Sequence, residues 1–164
     1  MKTNAARVLD ELGVSYEIRT YDLSEEQFSA EAVAESINLP AEIVFKTLVL
    51  KGDKGDKSIC LAVIPANKQL DQKALAHLSG NKKVEMVSLK EVLPLTGYIR
   101  GGVTAIAVKK PYPVYVDASA AQHEKIAVSA GKPGAQLFLK TQDYLKAVKA
   151  TLGQIASGGA GHVS

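Results

Sequence analysis

The stretch FKTLVLKGDKGDKSICLAVI, residues 45–64, contains two apolar runs on either side of the turn-forming sequence GDKGD. Apolar and β-branched runs that flank a short loop with glycine are typical of a β-hairpin. We therefore predict two strands, Phe45–Lys51 and Ser58–Ile64, joined by a tight loop. We predict the other elements of the fold around this hairpin.

The remaining periodicity predicts further strands and several helices. The predicted strands are Ser15–Tyr21, Lys83–Val87, Val103–Val108, Val114–Val116, Lys125–Ser129 and Ala135–Leu139. The predicted helices are Thr3–Leu12, Ser29–Asn38, a helix capped by Asp71 that runs to Ser79, Ser88–Leu93, and Thr141–Leu152. Because most strands are joined by tight turns, we expect an α+β fold with a twisted, largely antiparallel or mixed, barrel-like sheet and flanking helices.

Composition indicates one globular domain in a reducing compartment. The chain has 164 residues, a formal net charge of +3 and a single cysteine, Cys60. No apolar run approaches the roughly 18 residues that would span a bilayer, and the polar start is unlike a signal peptide, so we expect a cytoplasmic protein with no membrane partner. We assign residues 1–156 to one domain and the glycine-rich residues 157–164 to a disordered tail. The mild basic charge is compatible with a phosphate-bearing partner.

A glycine pair, Gly101-Gly102, precedes the apolar run Val103–Val108. Glycine allows a ligand to approach the backbone closely, and bare N–H groups at such a turn can bind an anion or a carbonyl oxygen. A plain turn between two strands explains the same sequence, so both interpretations stay open on the residues alone.

Lys46 lies within IVFKTLVL, where its neighbours apart from Thr47 are apolar. Alternation along a strand places Lys46 on one face with Leu48 and Leu50. The ammonium could reach water at the strand end while its stem packs, or it could point into a pocket and hold an oxygen or a phosphate.

The other reactive side chains suggest no metal site and no cofactor. Cys60 sits in ICLAVI and is expected to be a packed core thiol. The three histidines lack metal-ligand spacing, and GDKGDK lacks the spacing of a phosphate-binding loop. Ser129, in VSAGKPG, follows a predicted strand and is either a turn-forming serine or a pocket residue.

Four ordered segments make the chain resemble the YbaK/EbsC group of the prolyl-tRNA editing family. They are VFKTLVL around Lys46, TGYIRGGVTA around Gly101, KKPYPVYVD, and VSAGKPG around Ser129. The resemblance as a whole covers about residues 1–150. The resemblance implies a trans-acting aminoacyl-tRNA deacylase that releases cysteine from Cys-tRNA(Pro). The implied partners are the aminoacylated 3′ end of tRNA and prolyl-tRNA synthetase.

The resemblance also implies which residues build the pocket. The residues implied to act in catalysis are Lys46, Gly101 and Ser129, and those implied to bind the substrate are Tyr21, Phe28, Thr47, Gly102, Thr104 and Gln136. In this family the thiol of the substrate is thought to attack its own ester, which would explain why no protein nucleophile stands out. The protein would then supply orientation and electrostatic stabilisation.

Two departures from the family pattern bear on specificity. Thr104-Ala105 stand where many members have serine-proline, and Gln136 stands where many have an acidic residue. A neutral amide would bind an α-ammonium less strongly than a carboxylate, so a deacylase for another small amino acid, such as alanine, is an alternative. A non-catalytic module that binds tRNA or the synthetase is the second alternative, and a generic small-molecule hydrolase is the third.

Overall fold

A computed structural model describes residues 2–22 and 30–158. Its helices are α1 (Asn4–Glu11), α2 (Ala30–Ser36), α3 (Gln72–Ser79), α4 (Leu89–Thr96) and α5 (Thr141–Ala147), with short 3-10 turns at Ala41–Ile43 and Ala118–Gln122. Its strands are β1 (Tyr16–Thr20), β2 (Phe45–Gly52), β3 (Gly55–Pro65), β4 (Gln69–Leu70), β5 (Glu85–Met86), β6 (Val114–Asp117), β7 (Lys125–Ser129), β8 (Ala135–Lys140), β9 (Thr151–Gly153) and β10 (Ala156–Ser157).

The predicted hairpin forms the centre of a five-stranded sheet. Strands β2 and β3 pair antiparallel from Phe45 opposite Pro65 to Lys51 opposite Ile59. The strand order is β5-β2-β3-β6-β9, in which β6 and β9 add parallel to their neighbours. This sheet is therefore mixed, as the sequence predicted.

A second, three-stranded sheet has the order β1-β8-β7 and is antiparallel throughout. A parallel bridge between Val44 and Ala127 joins it to the first sheet. A two-stranded pair, β4 with β10, forms a small sheet of its own. The predicted α+β class with mixed sheets is confirmed.

The main core fills the space between the two sheets. Phe45 and Val49 of β2, Leu61 of β3 and Leu137 of β8 are buried there. Alternation sends the even-numbered residues of β2 to the other face. There Val44 packs with Ala34, Ile37, Ala66 and Ala127 in a smaller cluster beneath α2.

Local capping explains several helix ends. The Thr3 hydroxyl accepts a hydrogen bond from Ala6 N at 3.2 Å, and the Asp71 carboxylate accepts one from Ala74 N at 3.0 Å. Gly80 ends α3 with a φ of 78°, a left-handed conformation that suits glycine. The cap predicted at Asp71 is confirmed, and Thr3 caps α1.

The strand predicted over Val103–Val108 is wrong. Ala105 and Ile106 are buried in the main core, but the chain there is irregular and Ala107 has a φ of 58°. The Tyr98 hydroxyl donates to Ile106 O at 2.6 Å and lies 3.1 Å from Ala107 O, so these carbonyls bond a side chain instead of a neighbouring strand. The apolar run reflects core packing without a sheet.

The predicted extension of the last helix to Leu152 is also wrong. Helix α5 ends at Ala147, and Lys149 turns the chain with a φ of 54°. Leu152 then lies in β9, opposite Val116 of β6. Ser157, which we assigned to the tail, lies in β10, and residues 159–164 lie outside the described residues. In the described part of the chain, no helix is long and apolar enough to cross a membrane.

Candidate functional site

A cavity of about 510 Å³ opens where β2 and β7 separate. In the described structure, one edge of β2 is joined to β7 at Val44 and is paired with β5 at Leu50 and Lys51. The C=O of Val49 accepts from Val87 N, so the backbone of Val49 faces this edge. In an antiparallel pair the facing direction alternates, so Thr47 also presents its N–H and C=O to the gap. The cavity is therefore bordered by a strand edge between two partners.

Three side chains lie in a row across β2, β7 and β8. The bridge between Val44 and Ala127 is parallel, so two residues further along each strand Lys46 is level with Ser129, on the same face. Ser129 is in turn opposite Gln136 in the β7–β8 pair. All three line the cavity, and the sheet register alone accounts for their alignment.

Lys46 is half-buried and is the lysine at the centre of the site. Its Nζ donates to Ala66 O at 3.3 Å, which uses one of the three ammonium protons. Burial lowers the pKa of Lys46, and the charge of Glu31 on α2 acts in the opposite direction. Within the described residues Lys46 forms no ion pair. The ammonium therefore has donor capacity left for a ligand.

Gly101 lines the cavity from the turn Ile99–Gly102. Gly102 N donates to Ile99 O at 2.9 Å and closes the turn, in which Gly101 has a φ of 87°. This is the pattern of a type II turn, which needs φ above zero at its third residue. The hydrogen bond that closes the turn uses the N–H of Gly102. The N–H of Gly101 takes no part in that bond. Gly101 thus lines the cavity and, unlike Gly102, has an N–H that makes no backbone hydrogen bond in the described structure.

Gly102 has a packing role in the same turn. A Cβ at Gly102 would lie 2.8 Å from Lys132 Cα and 2.9 Å from Pro133 Cδ. The turn can therefore rest directly on the loop after β7 only because this residue is glycine. Gly102 is buried and does not line the cavity.

Ser129 and Gln136 are buried polar residues in the cavity wall. The Ser129 Oγ accepts from Gly131 N at 3.1 Å, and its side chain keeps its own proton to donate. Gln136 is 6% exposed, and its Oε1 has no hydrogen-bond partner in the described structure. An unpaired buried acceptor costs about 1–3 kcal/mol. That cost is removed when a ligand donor enters.

The other residues expected in the pocket lie elsewhere. Tyr21 packs against the cluster beneath α2 and borders a separate hollow with Asp22 and Ser36. Thr104 is fully buried, with its Oγ1 3.5 Å from Ile106 N. Phe28 lies outside the described residues.

Thr47 lines the cavity, but its hydroxyl does not face Lys46. Alternation along β2 directs it to the opposite face, where its Oγ1 is buried without a hydrogen-bond partner. Burial raises the pKa of Tyr144, and the nearby Thr47 hydroxyl partly offsets this effect. The two hydroxyls thus lie close together in the core without a bond of good geometry.

Sequence reasoning missed several lining residues, of which Arg100 and Glu31 are charged. Arg100 directly precedes the glycine pair, and that adjacency could have identified it. Met86, Leu89 and Val92 form an apolar part of the wall, contributed by β5 and α4. The sequence predicted a helix over Ser88–Leu93 but did not indicate which of its side chains face the cavity.

The remaining reactive groups lie away from the cavity. Cys60 is buried, and desolvation raises its pKa to about 11, which confirms the prediction of a packed thiol. His77 is exposed on α3. Among the described residues, no group of three His, Cys, Asp or Glu side chains could hold a metal ion.

Comparison with known proteins identifies the family. The sequence model of the aminoacyl-tRNA editing domain matches residues 24–147. An Enterococcus faecalis protein, named provisionally as the Cys-tRNA(Pro)/Cys-tRNA(Cys) deacylase EbsC, is 44% identical over 156 residues, which cover 95% of this chain and 94% of that one. A proline–tRNA ligase of Burkholderia multivorans is 29% identical over 104 residues, which cover 62% of this chain and 18% of the ligase.

Solved structures agree with the fold. A protein described provisionally as a trans-editing enzyme for prolyl-tRNA synthetase has a TM-score of 0.81, with 23% identity, over 96% of this chain and 99% of that one. A hypothetical protein of known structure has a TM-score of 0.84, with 21% identity, over 94% of this chain and 100% of that one. The family match and the 44% identity show that this chain belongs to the aminoacyl-tRNA editing domain family.

Proposed function

We propose that this protein is a trans-acting deacylase that releases cysteine from mischarged Cys-tRNA(Pro), with the aminoacyl ester bound in the cavity between β2 and β7. The observation that carries the proposal is the row of Lys46, Ser129 and Gln136 beside the free N–H of Gly101. These groups offer an ammonium, a hydroxyl, an amide acceptor and a backbone donor, which suit the polar ends of an aminoacyl ester.

In the proposed reaction the nucleophile comes from the substrate. The cysteinyl sulfur attacks the ester carbonyl carbon, so an S–C bond forms and an electron pair moves to the carbonyl oxygen. When this oxyanion collapses, the ester C–O bond breaks and the ribose oxygen leaves with a proton that balances the one lost by the thiol. Water then opens the cyclic thioester and gives free cysteine.

Each protein group has a defined part in this scheme. The Gly101 N–H donates to the developing oxyanion, and the Lys46 ammonium donates to the ribose oxygen as it gains negative charge. Ser129 and the unpaired Oε1 of Gln136 accept hydrogen bonds from the amino group of the substrate. The lowered pKa of Lys46 makes its proton easier to share with the leaving oxygen than that of an exposed lysine.

The proposed partner is prolyl-tRNA synthetase, which produces the mischarged tRNA. Cysteine and proline are similar in size, and one methylene allows only about 1–3 kcal/mol of discrimination in an apolar pocket. A separate editing step is therefore useful. The likeness to a segment of a proline–tRNA ligase supports this functional link.

The direct test is deacylation of preformed Cys-tRNA(Pro) by wild type and by Lys46→Ala. Loss of a donor to a developing charge costs about 10²–10³ in rate, and we expect a decrease of that size. Lys73→Ala is the matched control, because Lys73 is an exposed lysine of α3 that does not line the cavity. Equal rates for wild type and Lys46→Ala would remove Lys46 from the mechanism. Absence of release from Cys-tRNA(Pro) and Ala-tRNA(Pro) by wild type would favour a binding module.

A further inference from the structure

Two loops meet at the mouth of the cavity and each carries an exposed cation. The turn Ile99–Gly102 rests on the loop after β7, as the close approach of Gly102 to Lys132 shows. Arg100 stands two residues before Gly102 and lines the cavity. Arg100 and Lys132 are both exposed. The direct contact between the loops therefore places Arg100 and Lys132 on two adjacent turns, of which the first lines the cavity.

Neither cation is neutralised within the described structure. The ion pairs found there involve Lys2, Arg19 and Lys51 instead. Among the described lining residues only Glu31 carries a carboxylate, and its charge acts on Lys46. Surface cations often pair with nearby acids, so two adjacent unmatched ones at a cavity mouth provide a local field that attracts an anion.

The two side chains suit phosphate in complementary ways. A guanidinium binds two phosphate oxygens through parallel N–H bonds, whereas an ammonium acts as a mobile point charge. If the ester is inside the cavity, the terminal ribose is at its entrance and the phosphodiesters that precede this ribose lie outside. Those phosphodiesters then lie next to the loops that carry Arg100 and Lys132.

We propose that Arg100 and Lys132 bind the phosphodiesters next to the 3′-terminal nucleoside of the RNA and so guide the aminoacyl end into the cavity. This inference rests on the proposed deacylase function and deepens it, because it assigns RNA recognition to one side of the mouth. Contacts of this kind read the backbone and not the bases. They give affinity that falls with salt.

The first test measures RNA binding without catalysis. Fluorescence anisotropy of labelled, uncharged tRNA(Pro) gives the dissociation constant at several salt concentrations for wild type and for Arg100→Gln/Lys132→Gln. We expect weaker binding and a slope of log K against log salt that is smaller by roughly 0.7 for each cation removed. Lys73→Gln is the control, with the slope of wild type. An unchanged slope in the double variant would overturn the proposal, as would an equal decrease in the control.

The second test separates phosphate binding from action on the ester. The ratio of kcat/KM for Cys-tRNA(Pro) to kcat/KM for cysteinyl adenosine, which has no phosphodiester, is measured for wild type, double variant and control. We expect the ratio to fall about tenfold in the double variant and to stay unchanged in Lys73→Gln. An equal loss on both substrates would show that the cations act on the ester and would contradict the proposal. If wild type cleaves neither ester, the deacylase function fails, and the salt dependence of RNA binding still decides the role of the cations.

Discussion

Ser129 and Gln136 lie directly opposite each other on β7 and β8, and both side chains border the cavity. The parallel bridge between Val44 and Ala127 extends this pair to a row of three by setting Lys46 level with Ser129. A hydroxyl, an amide and an ammonium are thus arranged across three strands by register alone.

Gln136→Glu should improve binding of the aminoacyl substrate. The unpaired Oε1 of Gln136 is a neutral acceptor, and a carboxylate at the same place binds an ammonium more strongly, by about 1 kcal/mol. We expect KM for Cys-tRNA(Pro) to decrease roughly fivefold in steady-state deacylation. Gln136→Ala removes the acceptor and should raise KM. An unchanged KM in both variants would show that residue 136 does not contact the substrate amino group.

Glu31→Gln should lower the pKa of Lys46 further. Burial already lowers this pKa, and the negative charge of Glu31 is the influence that opposes burial. A lower pKa disfavours the ammonium. When the pH is raised, Lys46 therefore loses its charge at a lower pH in the variant than in wild type. The measurement is an NMR titration of the lysine side-chain signals, with the Lys46 signal assigned by its absence in Lys46→Met. A pKa that rises in Glu31→Gln would contradict the assigned electrostatics.

Gly102→Ala should displace the turn that carries Gly101. The added Cβ would meet backbone atoms of Lys132, which cannot move as a flexible side chain would. Overpacking of this kind costs about 1–3 kcal/mol, so we expect a lower free energy of unfolding by urea denaturation and a loss of deacylation. Gly80→Ala is the control, since Gly80 has a φ of 78° with no atom near its Cβ position. It should lose stability but keep activity. Full deacylation activity in Gly102→Ala would show that the position of this turn does not matter for catalysis.

Tyr144→Phe should leave stability nearly unchanged. Tyr144 is fully buried, but its hydroxyl and that of Thr47 have no hydrogen-bond partners, so little bonding is lost when the hydroxyl is removed. We expect a change within about 1 kcal/mol in the free energy of unfolding, compared with a loss of about 3–5 kcal/mol for Tyr144→Ala, which leaves a cavity. A loss above about 2 kcal/mol in Tyr144→Phe would mean that the two hydroxyls are bonded.

The sequence predicted the elements whose pattern is set locally. The apolar runs in FKTLVLK and SICLAVI around GDKGD predicted the hairpin, and the polar cap Asp71 predicted a helix start. The strand predicted over Val103–Val108 was wrong because a run of apolar residues is equally compatible with a strand and with a buried irregular loop. The Tyr98 hydroxyl, which bonds the carbonyls of this run, is a tertiary contact that local patterns do not reveal.

For the site, the sequence identified residue types but not their alignment. Lys46 among apolar neighbours and Gly101 before an apolar run both stood out, and both line the cavity. Their position relative to Ser129 depends on the bridge between Val44 and Ala127, which joins segments far apart in the chain. Alternation along β2 implied that the Thr47 side chain is on the face opposite Lys46. The expectation that Thr47 binds the substrate came from the family resemblance alone.

The most direct test of the central claim compares Cys-tRNA(Pro) with Ser-tRNA(Pro) in single-turnover deacylation by the wild-type protein. Serine replaces only the sulfur of the side chain with oxygen, so size and polar contacts to the cavity stay similar while the thiol is lost. We expect cysteine to be released at least about 100-fold faster than serine, the range of one well-placed catalytic group. Equal rates for the two, or no release of cysteine, would contradict substrate-assisted editing by this protein.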